Sequence, residues 1–327
     1  HIKIIIGNSF RKERIKMENK EILKYKIGAL LYCPANKEDI AENILHKKWD
    51  LNTIVFDLED AILPQFTYSA TIKLEDTISK LFNKKDEMEL PLIFIRVRTS
   101  SHLEEIYSRF CKYKEIITGF VLPKFDMSVA TNYLRVIRKI NINNDFYFLP
   151  ILETPNIMTF DRRKELYKIK RVLQDEKSIL GILTGGNDMC SYFGVRRNSK
   201  QTIYDIGVIR DILVDIINIF SKDFVVSAPI WEYFDGENWE KGLRKELELD
   251  RLNGFIGKAC IHPYQIPIVK DCLKVDKYEY EEALDLVNWK ENNGVKKNSN
   301  TGRMNEIATN KSWGEITKTL GDIYGTK

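Results

Sequence analysis

The chain has 327 residues, 43% of them apolar, which is enough for one sizeable core with some length to spare. Its 51 basic and 47 acidic residues leave a formal charge of +4 spread along the length, so there is no basic stripe of the kind that tracks nucleic acid. No apolar stretch approaches the ~20 residues of a membrane helix, the opening HIKIIIG lacks a secretory cleavage site, and five cysteines without a C-x-x-C pair suit reduced thiols, so a soluble cytoplasmic protein is expected.

Residues 1–25, charged apart from IKIII, read as an N-terminal appendage. From Ile27 onward eight short apolar runs each stop at Gly, Pro, a charge or an amide: IGALLYC, TIVFDLED, LIFIRVR, GFVLPKF, FYFLPILET, ILGILTGGND, DFVVSAP and GKACIHP. Between them lie stretches with apolar residues three and four apart, such as KEDIAENILHKK, LEEIYSRFCKYKEII, SVATNYLRVIRKI and IGVIRDILVDIINIF. Strands alternating with helices give parallel strands with right-handed crossovers. Eight such units predict an α/β fold, a (β/α)8 TIM barrel over residues 26–270 with its chemistry at the C-terminal strand ends. After Pro267 the pattern changes to YEYEEALDLVNWKEN, a charged helix ending at Asn293-Gly294, then polar KKNSNTG and an amphipathic helix from Trp313 to Tyr324. Residues 271–327 therefore read as a helical extension, packed on its own barrel or completing a neighbouring subunit's site.

The best chemical groups sit where the runs stop. Only four histidines occur, which leaves oxygen ligands for any metal. Glu153 and Asp188 end the fifth and sixth runs, and two carboxylates from adjacent strands suit a magnesium ion that keeps waters or takes substrate oxygens. The alternative is that Asp188 caps the helix DMCSYFG and Glu153 pairs with an arginine. Glu59 and Asp60 end the second run behind Asp57, either holding the waters of a bound ion or pairing with Arg96. Arg96 and Arg98 alternate in IFIRVR and so share a strand face, where Arg96 can fork onto a carboxylate or a developing enolate. Lys124 closes GFVLPK, where a Schiff-base lysine would sit, yet its acidic neighbours favour a protonated ammonium. Gly185, Gly186 and Asn187 allow close approach to a ligand or form a tight turn, and His262 ends the eighth run. Arg196, Arg197 and Tyr204 lie in a polar loop, either solvated or contacting a phosphate or carboxylate. Substrate specificity is expected in that loop and in WEYFDGENWE.

LLYCPAN, VFDLEDAI, FIRVR, VLPKF, PILET, GGNDM and GFIGKACIHPYQI occur in this order over roughly residues 28 to 324. On these blocks the chain resembles the HpcH/HpaI aldolase and citrate lyase beta-subunit superfamily. GGNDMCSYFGVRR, APIWEYFD and RMNE are similar to the branch of carbon–carbon bond lyases found with tellurium-resistance and stress-response genes. The resemblance implies a TIM barrel that uses Mg²⁺, with Mn²⁺ as a substitute, to cleave or form a carbon–carbon bond in a keto or hydroxy acid, as the free acid, a CoA thioester or a phosphorylated compound. It implies Glu153 and Asp188 as metal ligands, Arg96 as substrate-binding arginine, Glu59 and Asp60 as the acidic LED motif, and Glu306 of RMNE as acid or base. A homo-oligomer, a trimer or a multiple of one, is implied too. The chain departs from the pattern at Gly28, Ala35, Asn187 and Ile256, which bears on recognition of a CoA thioester and leaves the metal pair intact. The rival expectations are a Schiff-base aldolase using Lys124 and a barrel that binds metal or ligand without turnover.

Overall fold

The computed structural model describes residues 20–290, 294–298 and 300–327. Most of the expected N-terminal appendage, and Asn293 at the expected helix end, lie outside them. Eight parallel strands run as β1 (Ala29–Pro34), β2 (Thr53–Asp57), β3 (Leu92–Arg96), β4 (Ile117–Leu122), β5 (Tyr147–Leu152), β6 (Ile182–Thr184), β7 (Val226–Ser227) and β8 (Lys258–Cys260). They pair in sequence order from β1 to β7, and β8 pairs with β1. The ring closes between β7 and β8, where Ala228 N–H donates to Gly257 O at 3.0 Å and Ala259 N–H donates to Ala228 O at 3.3 Å. Gly257 turns the chain there at φ +85°, and a Cβ on it would lie 2.6 Å from Gly28 O.

Strand alternation sorts the core into two layers. Ile54, Phe56, Ile93, Ile95, Phe120 and Phe148 belong to the apolar layer between strands and helices. The intervening Val55, Phe94, Val121 and Leu149 are equally buried but lie outside that layer, so they fill the barrel interior. The helices have local causes as well. Asp126 accepts from Ser128 N at 2.9 Å to start Met127–Ile140, and Thr99 accepts from His102 N at 3.1 Å to start Ser100–Phe110. The helix expected over KEDIAENILHKK shortens to Ile40–Leu45. LEEIYSRFCKYKEII breaks after Phe110 into a 3₁₀ turn, Cys111–Tyr113, because Ile117 already belongs to β4.

A buried ionic cluster lies beside the closure. Lys258 Nζ donates to Glu246 Oε1 and Asp250 Oδ2, both at 2.9 Å, and Tyr204 Oη donates to Asp250 Oδ1 at 2.7 Å. Burial pushes Asp250 up to about 6, with the charge of Glu246 adding to it against the pull of Lys258. Among the described residues Lys258 is the one cation that touches both acids, and without it Asp250 has no cationic partner while Glu246 keeps only Arg197 Nη2 at 3.4 Å. Lys258→Met is therefore expected to lower the unfolding free energy in urea by about 3–5 kcal/mol. A loss below about 1 kcal/mol, as for an exposed ion pair, would contradict this account.

Residues 27–269 form one compact unit, and 20–26 with 270–327 form a second. In the second, the helices Lys277–Val287 and Ile307–Tyr324 pack together, Tyr324 Oη donates to Tyr25 O at 2.7 Å, and Lys327 N donates to Val275 O at 2.9 Å. The polar stretch between the helices is an antiparallel hairpin, β9 (Val295–Lys297) and β10 (Met304–Glu306). The last helix begins at Ile307, six residues before Trp313, because N-terminal polar residues continue it beyond the apolar stripe.

Candidate active site

The interior parity of each strand decides which side chains reach the mouth. Val55 points inward, so Asp57 does too; Phe94 brings Arg96, and Leu149 and Ile151 bring Glu153. Asp57 and Arg96 are register partners across β2 and β3. Their side chains form a two-bond fork, Nε to Oδ1 and Nη2 to Oδ2, both at 2.6 Å. Asp57 also accepts Glu59 N at 2.9 Å and Ala61 N at 3.0 Å, so one carboxylate fixes both the guanidinium and the LED turn. Arg96 Nη1 lies 3.1 Å from Glu59 Oε2 and 3.3 Å from Asp60 Oδ2, and the Tyr32 ring lies 5.1 Å from the guanidinium carbon. Burial works against the charge on Arg96, but Asp57 and Glu59 outweigh it and lock the guanidinium protonated.

Lys124 joins this group from β4. Its backbone takes the left-handed conformation, φ 50°, which turns its N–H onto Glu153 Oε1 at 2.9 Å while Nζ reaches Glu59 Oε1 and, at 3.3 Å, Asp60 Oδ1. Burial opposes the ammonium charge, but Glu59, Asp60 and Glu153 overcome it and raise the pKa well above the usual lysine range. Glu59 is itself raised by burial, with Arg96 and Lys124 pulling the other way.

Glu153 and Asp188 stand on neighbouring strand ends, since Ile151 pairs with Leu183 and Leu152 with Thr184. Glu153 is 4% exposed, and burial followed by the charge of Asp188 pushes it up to about 8. Asp188 is raised by burial, against the pull of Lys124 and with Asp60 adding, and it is within hydrogen-bonding reach of Glu153. A Cβ on Gly185 would lie 2.0 Å from Glu153 Oε2, so only glycine lets β6 close around this carboxylate. Asp188 does not cap its helix; Gly185 holds that position and Asp188 lies in the first turn of Gly186–Phe193. Glu153 bonds the Lys124 N–H rather than an arginine. A buried carboxylate and a half-buried one facing each other, with neither ion-paired to a basic side chain among the described residues, make a donor set suited to a divalent cation. Among the described residues no group of three or more His, Cys, Asp or Glu side chains could hold a metal, so this pair would leave most of an ion's coordination to water or substrate, as Mg²⁺ accepts.

These groups open on a cavity of about 390 Å³ whose walls include Tyr32, Asp57, Asp60, Arg96, Glu153, Gly185, Gly186, Asn187 and Asp188. Some expected site residues are elsewhere. Arg98 shares the face of Arg96, but its Nη1 donates to the carbonyls of Leu58 and Glu59 at 2.9 Å and of Ile62 at 3.0 Å, so it braces the LED turn and is not among the cavity walls. His262 stacks on Phe234, centroids 4.4 Å apart, and accepts Tyr264 N at 3.3 Å; Ile261 beside it is the cavity residue. Arg197 and Tyr204 are buried, not solvated and not at the cavity. Arg197 Nη2 donates to Ile230 O at 2.5 Å over the Trp231 ring, and Tyr204 belongs to the Lys258 cluster. Arg196 is paired with Glu232 at 3.1 Å. Glu306 belongs to the C-terminal unit, at the end of β10, where its N–H donates to Asn310 Oδ1 at 2.8 Å. Asp57 and Tyr32 were not singled out from the sequence as contacts of Arg96; the inward parity of β2 was the signal for Asp57.

A family model for C–C bond lyases of the TIM-barrel fold matches residues 21–326. The chain belongs to this family. No curated protein matches it. Among solved structures, RipC from Yersinia pestis is 18% identical with a TM-score of 0.56, covering 78% of this chain and 99% of its own. CitE from Mycobacterium tuberculosis, in complex with magnesium, acetoacetate and coenzyme A, is 18% identical with a TM-score of 0.57, covering 90% and 98%. The citrate lyase beta subunit from M. tuberculosis with oxaloacetate and magnesium is 19% identical with a TM-score of 0.51, covering 76% and 98%. At these identities the likeness is one of fold, and this C–C bond lyase shares its barrel with them. No helix among the described residues is long and apolar enough to cross a membrane.

Proposed function

We propose that this lyase cleaves or forms a carbon–carbon bond next to the carboxylate of a keto or hydroxy acid, with Mg²⁺ held by Glu153 and Asp188. The observation that carries the reading is the pair formed by buried Glu153 at the end of β5 and half-buried Asp188 in the helix that follows β6, within hydrogen-bonding reach of each other at the wall of the cavity. That the similar CitE structures are described with magnesium and small oxo acids supports it. When bound, the ion supplies positive charge and open positions for oxygen ligands, and Mn²⁺ fits the same donors.

The protein's own groups do the rest. Breaking the bond leaves an enolate, and Arg96, held by the Asp57 fork, keeps a fixed positive charge at the cavity wall where that negative charge develops. Because the fork forms before substrate arrives, little reorganisation is needed at the moment of reaction. Lys124 supports the acids: its N–H orients Glu153, and its ammonium balances Glu59 and Asp60. Glu306, on the family's RMNE motif, is the proposed proton carrier. We also infer a homo-oligomer, a trimer or a multiple of one, on the same resemblance.

A Schiff-base reaction at Lys124 needs a free amine, and this one is held protonated by Glu59 and Asp60. The test sets the two chemistries against each other. With a substrate that turns over, EDTA is expected to abolish cleavage and Mg²⁺ to restore it, while borohydride in the presence of substrate leaves the protein's mass unchanged. Trapping at Lys124 with indifference to EDTA would overturn the proposal.

A further inference from the structure

The cavity has two walls of opposite character, and the contrast bears on the substrate. On the β2 to β4 side and at the metal pair, five carboxylates, Asp57, Glu59, Asp60, Glu153 and Asp188, face only two cations, Arg96 and Lys124. Arg96 is the one basic side chain lining the cavity among the described residues, and its Nε, Nη1 and Nη2 already contact acids. Below the metal pair and the Gly185–Asn187 turn, the side chains that line the cavity from β5 round to β8 are Ile151, Leu183, Ala228, Ile230, Ala259 and Ile261. The Thr184 hydroxyl is turned away from them, since Oγ1 donates to Ser227 O at 2.9 Å.

We infer that the substrate is a monocarboxylic 2-oxo or 2-hydroxy acid whose substituent is aliphatic and lies against the wall formed by Ile151, Leu183, Ala228, Ile230, Ala259 and Ile261. The inference rests on the metal-site reading above, which gives the first carboxylate its partner. A bound divalent ion would offset two of the three excess negative charges, and its open positions would take one carboxylate of the substrate. A second carboxylate, or a phosphate, on that side would meet apolar side chains and no basic side chain among the described residues, with only the Gly185–Asn187 turn to offer it hydrogen bonds. A methylene on that wall instead removes apolar surface from water, which favours each added carbon by about fourfold in affinity.

The experiment is a calorimetric titration of the full chain with pyruvate, 2-oxobutyrate, oxaloacetate and 2-oxoglutarate, each with and without Mg²⁺, after a titration with Mg²⁺ alone. Affinity in Mg²⁺ is expected to rise about fourfold from pyruvate to 2-oxobutyrate and to fall at least about tenfold for the two dicarboxylates. Ile230→Lys, which puts a cation on the apolar wall, is expected to reverse the order. Tighter binding of oxaloacetate than of 2-oxobutyrate by the unaltered protein, or no binding of any of the four, overturns the substrate assignment. Failure of Mg²⁺ alone to bind overturns the metal site, and the ranking without Mg²⁺ then decides the apolar wall by the same criterion.

Discussion

Replacing Glu153 by glutamine is expected to abolish divalent-ion binding and turnover together while leaving the metal-free protein at least as stable as before. The two halves of this result have one cause. Glu153 is 4% exposed and faces Asp188, and burial and that neighbour already oppose its ionisation, so in the metal-free barrel an isosteric neutral amide costs nothing. The amide keeps a carbonyl oxygen to accept the Lys124 N–H, now 2.9 Å from Oε1, so the turn after β4 stays in place. What disappears is half of the charge that holds the ion. Removing a group that merely orients a metal ligand typically costs 10- to 100-fold in metal affinity, and loss of the ligand's own charge is expected to exceed about a hundredfold. The measurement is Mg²⁺ calorimetry beside thermal unfolding in EDTA. A variant that bound Mg²⁺ normally would remove the ion from Glu153; one that lost Mg²⁺ only because it unfolded would show as a lowered melting temperature in EDTA.

The barrel was legible in the sequence because both of its periodicities were undiluted. Strands such as LIFIR and YFLPIL are apolar on two faces, as parallel strands covered by helices must be, and the helices between them carry a single apolar stripe. The acids and Arg96 at the rim followed from the rule that barrel chemistry collects at strand ends. What did not follow was the direction of long side chains once past the strand. Arg98 has the right parity for the cavity, yet three backbone carbonyls of the LED turn are closer and hold it. Lys124 reaches Glu59 and Asp60 only because its own backbone is left-handed, a conformation its residue type does not announce. Arg197 and Tyr204 sit in a polar-looking loop, but the loop is pinned from below by Glu246, which accepts Ile203 N at 2.6 Å, and by Asp250. Polarity marked that segment as solvated, as Arg196, Lys200 and Asp205 are, but gave no sign that Arg197 and Tyr204 turn inward. The β9–β10 hairpin was hidden for a similar reason, since Val295–Lys297 is exposed at every residue and carries no alternation to read.

Arg96 divides these effects most sharply, and two substitutions there are expected to fail in different ways. Arg96→Met leaves Asp57, 2% exposed, without its guanidinium partner, while Glu59 keeps the Lys124 ammonium, and stranding a buried carboxylate such as Asp57 costs about 3–5 kcal/mol. Urea unfolding should register that loss whether or not the protein is an enzyme. Arg96→Lys restores the charge but has one ammonium where Asp57 meets Nε and Nη2 at once, so the fork, and with it the fixed orientation toward the cavity, is lost. The lysine variant is therefore expected to fold with a smaller penalty, to bind Mg²⁺ through the intact Glu153 and Asp188, and still to lose about 10²–10³-fold in turnover, the scale of removing one pre-positioned oxyanion donor. Stopped-assay kinetics beside urea unfolding separates the two losses. Turnover by Arg96→Lys within a few fold of the unaltered protein would mean that any positive charge serves and that the Asp57 fork is structural; a turnover loss in both variants with full stability only in the lysine form would place the geometry of the guanidinium, not its charge, at the reacting carbon.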